Sequence, residues 1–327
     1  MQLVDVDGDS IEPGLGGAVT SLDLSVIIVN WHARDLLEQA LACLYATVQA
    51  NRFEVIVVDN SPGDGSAELV RTRFPEAILI SNHANRGFGR ANNQAAAVAQ
   101  GRYLLLLNPD AFVHAGTVDG LVAFMEAHPE AGAVAPRLRY ADGRLQRSVT
   151  SFPTVQTELW TTLGLDRALP HHPVFGHYKL THWAMDDLRA VEALMGACLL
   201  LRRTVIDQIG LFDEQFFMYT EEVDLCYRLH QAGWKSYFLP DVEATHLWGG
   251  SAQRVPHQTF LRLFRSRVQF FRKHYGAHVT AQYKAVLTLA SLMRVIGAPM
   301  LFAVRRDSAT MQRYLQYLAL LQQVGRF

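Results

Sequence analysis

Two short apolar runs that each end at an acidic residue constrain the fold of this chain most. They are residues 55–59 (VIVVD) and residues 104–110 (LLLLNPD). Each run is too short and too apolar for a strand with one exposed face, so we predict strands buried on both faces of a parallel sheet. In open α/β sheets, ligands bind beyond the carboxyl ends of such strands. Asp59 and Asp110 are therefore predicted to lie where a sugar, a base or a divalent cation binds.

Strand and helix patterns alternate around these runs. Strands are predicted at 25–30, 55–59, 77–81 and 103–107, and helices at 36–45, 66–74, 91–99 and 117–127. This alternation is typical of βαβ units, so the predicted fold class is α/β with a mainly parallel sheet flanked by helices.

The pattern is less regular after residue 136. Residues 152–183 are rich in proline, histidine and aromatic residues and are predicted to be a variable loop region. A strand at 191–202, a helix at 221–231 and a short strand at 234–238 follow. The expected organisation is a catalytic domain with a helical C-terminal appendage.

The composition favours an intracellular globular protein. Half of the 327 residues are apolar, which is ample for a buried core. The three cysteines have no paired spacing, so we expect a reducing compartment, the cytoplasm. Residues 1–22 carry acids among glycines and lack the features of an export signal, so they are predicted to be a disordered tail.

Charge is distributed unevenly along the chain. Residues 261–327 contain eleven Lys and Arg against the single acid Asp307, so this segment is +10 and the remainder is −11. A basic segment suggests an anionic partner. Residues 285–304 carry only one charge, Arg294, which fits a membrane face better than nucleic acid. The alternative is an ordinary buried helix pair with a basic outer face.

Five further segments carry groups that suit chemistry, and each also has a purely structural explanation. Asp59 at a strand end can accept hydrogen bonds from a ribose or a base, or cap a turn. Residues 85–93 (NRGFGRANN) let backbone approach a ligand at a helix start, although the dinucleotide fingerprint is absent. In Asn108-Pro109-Asp110, the proline fixes a turn that points oxygen ligands toward Mg²⁺ or Mn²⁺.

The remaining two segments lie near the end of the predicted catalytic domain. Residues 221–224 (EEVD) begin a helix, where the macrodipole stabilises carboxylates and keeps a general base ionised. His246 follows the last predicted strand within a small-residue loop, residues 245–251, and can complete a metal site or serve only the structure.

Taken in order, these segments resemble family 2 glycosyltransferases of the GT-A fold, and more narrowly the bacterial rhamnosyltransferase-like branch. The branch also shows a turn like residues 142–148 (DGRLQRS) and a segment like residues 195–198 (MGAC). The resemblance spans about residues 23–251. It implies domains at 1–22 (tail), 23–255 (GT-A domain) and 256–327 (basic helical segment, with possible membrane contact).

The resemblance also implies roles for individual residues. Glu222 stands where the family has its catalytic base, and Asp110 and His246 correspond to metal-binding positions for Mg²⁺ or Mn²⁺. The implied donor-binding residues are Asn30, Asp59, Asn85, Gly87, Phe88, Arg90, Asn93, Asn108 and Asp110. The implied acceptor-binding residues are Met195, Gly196, Ala197, Glu221 and Asp224.

The implied reaction is an inverting, single-displacement transfer of a sugar from a nucleotide-diphosphate donor to a hydroxyl group. Asn108 replaces the first aspartate of the broader Asp-x-Asp pattern, and Glu222 replaces a more usual aspartate. Branch resemblance favours dTDP-rhamnose over a UDP-sugar. The expected partners are a glycan or lipid-linked glycan acceptor and an anionic membrane surface at the inner face of the cell membrane, without nucleic acid. Self-association into an oligomer stays open.

The sequence leaves two alternatives to an active glycosyltransferase. A nucleotidyltransferase would need a glycine-rich basic loop after the first strand, where residues 30–34 (NWHAR) stand instead. A non-catalytic relative that only binds a nucleotide or a partner is motivated by Asn108 and Glu222.

Overall fold

The computed structural model describes residues 3–4, 10–12, 22–247, 256–305 and 308–327. The strands of the described residues are β1 (Leu3–Val4), β2 (Ser10–Glu12), β3 (Leu24–Asn30), β4 (Phe53–Asp59), β5 (Ile78–Ser81), β6 (Tyr103–Leu107), β7 (Ala111–Val113), β8 (Ala131–Arg139), β9 (Leu145–Gln146), β10 (Val149–Thr150), β11 (Arg189–Val191), β12 (Ala193–Leu194), β13 (Cys198–Arg202) and β14 (Lys235–His246). The helices are α1 (Arg34–Thr47), α2 (Ser66–Arg73), α3 (Phe88–Val98), α4 (Thr117–Ala127), α5 (Val155–Leu163), α6 (Leu165–Ala168), α7 (Arg203–Ile209), α8 (Glu221–Gln231), α9 (Pro256–Arg305) and α10 (Ser308–Gln323).

The central sheet is mixed, and four neighbouring strands, β5, β4, β3 and β6, form the predicted parallel core. Its strand order is β1-β2-β5-β4-β3-β6-β13-β8-β14-β11. β5, β4, β3 and β6 are parallel, as are β8 and β14, whereas β13 lies antiparallel between β6 and β8. The α/β class and the mainly parallel sheet are thus confirmed.

Burial explains why the two apolar runs form central strands. Every residue of β3 and of β6 is buried, and so are the last five residues of β4. Helix α1 covers this core with Leu37, Leu41 and Leu44, which recur at helical spacing and are fully buried. Strands covered on both faces need apolar side chains throughout, so the runs do not alternate.

Several elements differ from the prediction. The expected disordered tail contains β1 and β2, and β2 pairs with β5; the other tail residues up to 21 lie outside the described residues. The predicted strand at 191–202 is interrupted, and the predicted loop region at 152–183 contains α5 and α6. β14 continues to His246, which is therefore the last residue of a strand; residues 248–251 of the expected loop lie outside the described residues.

The chain divides into two compact units. The first comprises Met1–Thr150, Met185–Phe217 and Glu221–Gln253, and the second comprises Ser151–Ala184, Met218–Thr220 and Arg254–Phe327. The predicted boundary of the helical C-terminal segment is residue 256, and the last part of the second unit starts at Arg254; the domain division stays a prediction for this unit. The second unit also includes residues 151–184, which the sequence analysis placed in the catalytic domain.

The second unit is mainly helical. α9 is broken at Gly276, where φ is +80°. Within the described residues, no helix has the length and apolar character needed to cross a bilayer.

Candidate active site

The parallel strands of the first unit bring their carboxyl ends to one edge of the sheet. In the ladder, Asn30 at the end of β3 is paired with Asp59 at the end of β4, and Asp59 is paired with Ser81 at the end of β5. Residues paired across a parallel ladder project from the same face. The edge therefore collects polar side chains from three neighbouring strands, as the sequence predicted for Asp59.

Asp59 is buried and is held by local donors. Its Oδ1 accepts hydrogen bonds from Asn30 Nδ2 at 3.2 Å and from the amide of Ser61 at 3.0 Å. Burial raises the pKa of the Asp59 carboxyl, and these two hydrogen bonds oppose that rise. Asn30 Oδ1 and Ser81 Oγ are also buried, and neither has a hydrogen-bond partner among the described residues. Unsatisfied buried polar atoms of this kind suit a ligand that supplies the missing bonds.

The predicted glycine and asparagine loop packs tightly against residues that precede α8. Asn85 Oδ1 accepts from the Gly87 amide at 2.8 Å, and the Phe88 amide donates to the Phe217 carbonyl at 3.0 Å. Gly87 has φ +86°, and a Cβ there would lie 2.6 Å from the Phe217 carbonyl oxygen. Glycine is required at this position by both conformation and space.

Asn93 and Arg90 are engaged with the segment that follows α7. The Asn93 side chain donates to the Phe212 carbonyl at 2.9 Å and accepts from the Phe212 amide at 3.1 Å. Arg90 lies 3.8 Å from a carboxylate oxygen of Glu214. These contacts favour a positioning role for Asn93, and direct donor binding by either residue stays a prediction.

The Asn108-Pro109-Asp110 turn ends β6 and joins two other segments. The Asn108 amide donates to the Ala197 carbonyl at 2.9 Å, and the Asp110 carbonyl accepts from the Leu247 amide at 3.0 Å. The Asp110 side chain is buried. The turn therefore links the predicted acceptor segment to the end of β14.

Asp110 and His246 are brought together, with Gln146 on the other side of the imidazole ring. His246 Nε2 lies 3.3 Å from Asp110 Oδ1, and His246 Nδ1 lies 2.8 Å from Gln146 Oε1. The amide nitrogen of Gln146 donates to the His246 carbonyl at 3.4 Å, which fixes the orientation of the amide. With the Gln146 oxygen facing Nδ1, the tautomer that satisfies this contact has its proton on Nδ1.

This arrangement fits a cation. With a proton on Nδ1, the Nε2 of a neutral imidazole presents a lone pair to the Asp110 carboxylate. Two such acceptors 3.3 Å apart suit a metal ion that both of them bind. Among the described residues, no group of three or more His, Cys, Asp or Glu side chains is placed to hold a metal. Asp110 and His246 would supply two ligands, and water and phosphate oxygens suit the other positions.

Glu222 lies in the first turn of α8 beside the predicted acceptor segment. A Cβ built on Gly196 would lie 3.7 Å from Glu222 Cβ and 3.9 Å from the Phe88 ring. Because Gly196 has no side chain, residue 196 does not cover the side of Glu222 that faces it. The helix N-terminus favours the ionised carboxylate of a general base.

Glu221 is buried beside Glu222. Its Oε2 has no hydrogen-bond partner among the described residues. Burial and the charge of Glu222 raise the pKa of Glu221 well above its usual value.

Asp224 is fully buried and forms an ion pair with Arg228 at 2.8 Å. Arg228 also donates to the carbonyls of Ile209, Gly210 and Leu211, at the end of α7. These contacts favour a role for Asp224 in holding α8 against that loop. Direct acceptor contact by Asp224, which the resemblance implied, stays a prediction.

The acceptor segment connects two motifs. The Met195 amide donates to the Ser148 carbonyl at 2.8 Å, and the Ala197 carbonyl accepts from Asn108. Residues 142–148, the Asn108 turn and Glu222 therefore meet around Gly196. Gln146 lies within the motif at residues 142–148, and the resemblance implied no role for it. Its position in a motif that resembles one of the rhamnosyltransferase-like branch was the available signal, and its partner lies 100 residues away.

The structure combines a mainly parallel α/β sheet with a buried carboxylate at one strand end, an Asp–His pair at another and a carboxylate at a helix start. These features define a GT-A-type transferase. The family model for Glycosyl transferase family 2 matches residues 25–188, and the chain belongs to this family. It is therefore a glycosyltransferase.

Curated relatives include rhamnosyltransferases. The chain is 31% identical to N-acetylglucosaminyl-diphospho-decaprenol L-rhamnosyltransferase of Mycobacterium tuberculosis, over 71% of this chain and 78% of the relative. It is 26% identical to rhamnosyltransferase WbbL of Escherichia coli, over 68% of this chain and 82% of the relative. The chain is thus rhamnosyltransferase-like, as the sequence analysis expected.

Among solved structures, the chain resembles the mannosyltransferase PcManGT of Pyrobaculum calidifontis, which was solved with GDP-Man and Mn²⁺. The TM-score is 0.58 at 17% identity, covering 93% of this chain and 86% of that one. At this identity the likeness concerns the fold, and it agrees with the predicted GT-A architecture.

Proposed function

We propose that this protein transfers a sugar, with L-rhamnose from dTDP-rhamnose as the first choice, to a hydroxyl of a glycan or lipid-linked glycan. The observation that carries the proposal is the meeting of Glu222, Phe88 and the Asn108 turn around Gly196. The names of two relatives support rhamnose as the sugar. The name of the mycobacterial relative also supports a lipid-linked diphosphate acceptor. Such a reaction belongs to the synthesis of cell-surface polysaccharide.

The donor side of the site has two parts in this proposal. Asn30 and Asp59 hold the nucleoside, and the partnerless oxygens of Asn30 and Ser81 add hydrogen-bonding capacity there. Asp110 and His246 hold a divalent cation, Mg²⁺ or Mn²⁺, and Gln146 orients the His246 ring. Mn²⁺ in the PcManGT structure supports the choice of a divalent ion.

The reaction in this proposal is a single displacement with inversion. Glu222 removes the proton from the acceptor hydroxyl, and the acceptor oxygen forms a bond to the anomeric carbon. The bond from that carbon to the diphosphate breaks, and its electron pair leaves with the diphosphate. When bound, the divalent cation supplies positive charge that stabilises the leaving group.

The decisive experiment replaces Glu222 with glutamine. Glu222→Gln is expected to fold and bind donor, but to lose at least about 100-fold in turnover, which is the usual contribution of a general base. Transfer of radiolabelled rhamnose to a lipid-linked N-acetylglucosamine diphosphate measures turnover, and donor-induced thermal shift measures binding. Glu68→Gln, an exposed change on α2, is the matched control. Undiminished transfer by Glu222→Gln would rule out this base.

The donor is tested separately with wild-type protein. Thermal unfolding is followed with dTDP-rhamnose and with UDP-sugars, each with and without Mn²⁺ or Mg²⁺. A ligand that binds only the folded form raises the unfolding temperature by mass action. We expect the largest shift with dTDP-rhamnose plus metal. A larger shift with a UDP-sugar would replace the donor assignment, and binding of every donor without any turnover would indicate a non-catalytic relative.

We also propose that the protein works at the inner face of the cell membrane. The support is the +10 charge of residues 261–327, which complements anionic lipid headgroups. A lipid-linked acceptor would be presented at the same surface.

A further inference from the structure

The solvent-facing side of α9 is apolar over about two turns. Leu289, Leu292, Met293 and Ile296 are 47%, 40%, 49% and 73% exposed, respectively. Their spacing places them on one face of the helix. A surface helix of a water-soluble protein normally presents its polar face to solvent and its apolar face to the core.

The charged residue of this stretch is turned the other way. Arg294 is the only charged residue among residues 285–304. Its guanidinium donates to the carbonyls of Ala290 at 3.1 Å and Thr162 at 3.2 Å, and lies 4.9 Å from the Tyr317 ring centre. The positive charge is thus satisfied inside the second unit. The helix presents apolar side chains outward and its arginine inward.

A neighbouring element of the same unit has a similar exposed face. In α10, Met311 and Leu315 are one turn apart and are 41% and 50% exposed. Contiguous exposed apolar surface of this kind marks an interaction site. We call Leu289, Leu292, Met293 and Ile296 the apolar face of α9.

Charge distinguishes between possible occupants of the apolar face. Residues 261–327 carry a net charge of +10. A second copy docked through the same face would bring two such segments together, whereas an anionic bilayer complements them. The face runs from Leu289 to Ile296, about 11 Å at 1.5 Å per residue, far too short to cross a hydrocarbon core of about 30 Å. This geometry suits a helix that lies in the bilayer interface.

We infer that the apolar face of α9 inserts into the surface of an anionic bilayer and docks the protein there. This inference deepens the proposed location at a membrane and rests on it. It assigns the contact to four named side chains. It does not depend on sugar transfer, so its test is independent of the catalytic assignment.

The test uses the full chain and co-sedimentation with vesicles of phosphatidylglycerol and phosphatidylethanolamine. The double variant Leu289→Gln/Ile296→Gln replaces two exposed residues with a good helix former. We expect its partition coefficient to fall about tenfold or more, with an unchanged unfolding temperature. Leu169→Gln/Leu188→Gln is the matched control, because these leucines are 47% and 44% exposed outside α9. It is expected to bind as the wild type does.

The outcomes separate the explanations. Weakened binding in the α9 variant alone, together with weaker binding of the wild type to phosphatidylcholine vesicles or in high salt, supports the inference. Equal binding by the wild type and the α9 variant overturns it. A wild-type dimer in sedimentation velocity that the α9 variant dissolves would also overturn it, because the face would then be a subunit interface. If the wild-type protein binds vesicles through α9 but transfers no sugar, the proposed reaction is wrong and the inference about the apolar face of α9 is supported.

Discussion

Gln146 offers the sharpest test of the Asp110–His246 pair. Gln146 is fully buried, and its side-chain oxygen accepts the His246 Nδ1 proton at 2.8 Å. Gln146→Leu removes that acceptor and leaves the ring N–H buried without a partner, which costs about 1–3 kcal/mol. Loss of an outer partner of a metal-bound histidine typically weakens metal binding about 10–100-fold. That range corresponds to about 1.4–2.8 kcal/mol, so the two magnitudes agree.

Titration of the protein with Mn²⁺, followed by the electron paramagnetic resonance signal of the free ion, measures the affinity without any turnover. Gln146→Glu is the control, because its carboxylate keeps an acceptor for Nδ1. It replaces the donor of the 3.4 Å bond to the His246 carbonyl by an oxygen and adds a buried charge, so it disturbs the packing at least as much as leucine does while keeping the acceptor. We expect Gln146→Glu to retain Mn²⁺ binding within a few-fold of wild type. Thermal unfolding of both variants shows whether they fold.

Wild-type Mn²⁺ affinity in a folded Gln146→Leu protein would refute the reasoning, since the ring would then need no partner at Nδ1. Equal weakening in both variants would also count against it. A general disturbance of packing at a buried site, rather than the lost acceptor, would then explain the result.

Three further predictions concern stability. In urea unfolding, Gly87→Ala should lower the free energy of unfolding by about 1–3 kcal/mol more than Gly63→Ala does. Both glycines have φ near +85°, but only at Gly87 would the added Cβ lie within 3 Å of a backbone atom. Glu243→Gln should cost about 1–3 kcal/mol at pH 7, because Arg139 donates two 2.7 Å hydrogen bonds to this carboxylate. These bonds hold the pKa of Glu243 at about 2, so the difference from wild type should shrink as pH falls from about 4.5 toward 2. Glu221→Gln should stabilise the folded protein at pH 8, because burial and the adjacent carboxylate raise the pKa of Glu221 and so make its ionised form unfavourable there. The wild type should regain this stability as the pH falls through the raised pKa. Thermal unfolding of both proteins over a range of pH measures the difference.

The parallel core could be predicted because its signal is local. The apolar runs before Asp59 and Asp110 specify strands buried on both faces, and a strand that ends in a carboxylate specifies its own edge of the sheet. The role of Glu222 as a base was implied by the resemblance, but the helix start at residues 221–224 was predicted for a similar local reason, since acids are stabilised there by the helix dipole. Each of these inferences needs only a few consecutive residues.

The remaining features depend on contacts between distant segments. The sequence around β13 carries no signal that this strand pairs antiparallel with both β6 and β8. The ion pair of Asp224 with Arg228 could be inferred from helical spacing, but its burial and the three carbonyls that complete the arginine could not. The orientation of His246 by Gln146 joins residues 100 positions apart. Without knowledge of that contact, the orientation of the His246 ring cannot be predicted from the sequence.

The pairing of β7 with β14 would couple cation binding at the proposed site to the opening of one part of the sheet. His246 is paired with Ala111, the residue after Asp110. A cation shared by Asp110 and His246 would fasten the end of β14 to the turn after β6, and a ligand that binds only this closed form stabilises it by mass action. Amide hydrogen exchange would then slow in β7 and the end of β14, while β3 and β4 would keep their own rates. Cation binding could thus be detected from slower local opening of the backbone at these strands, before any sugar is bound.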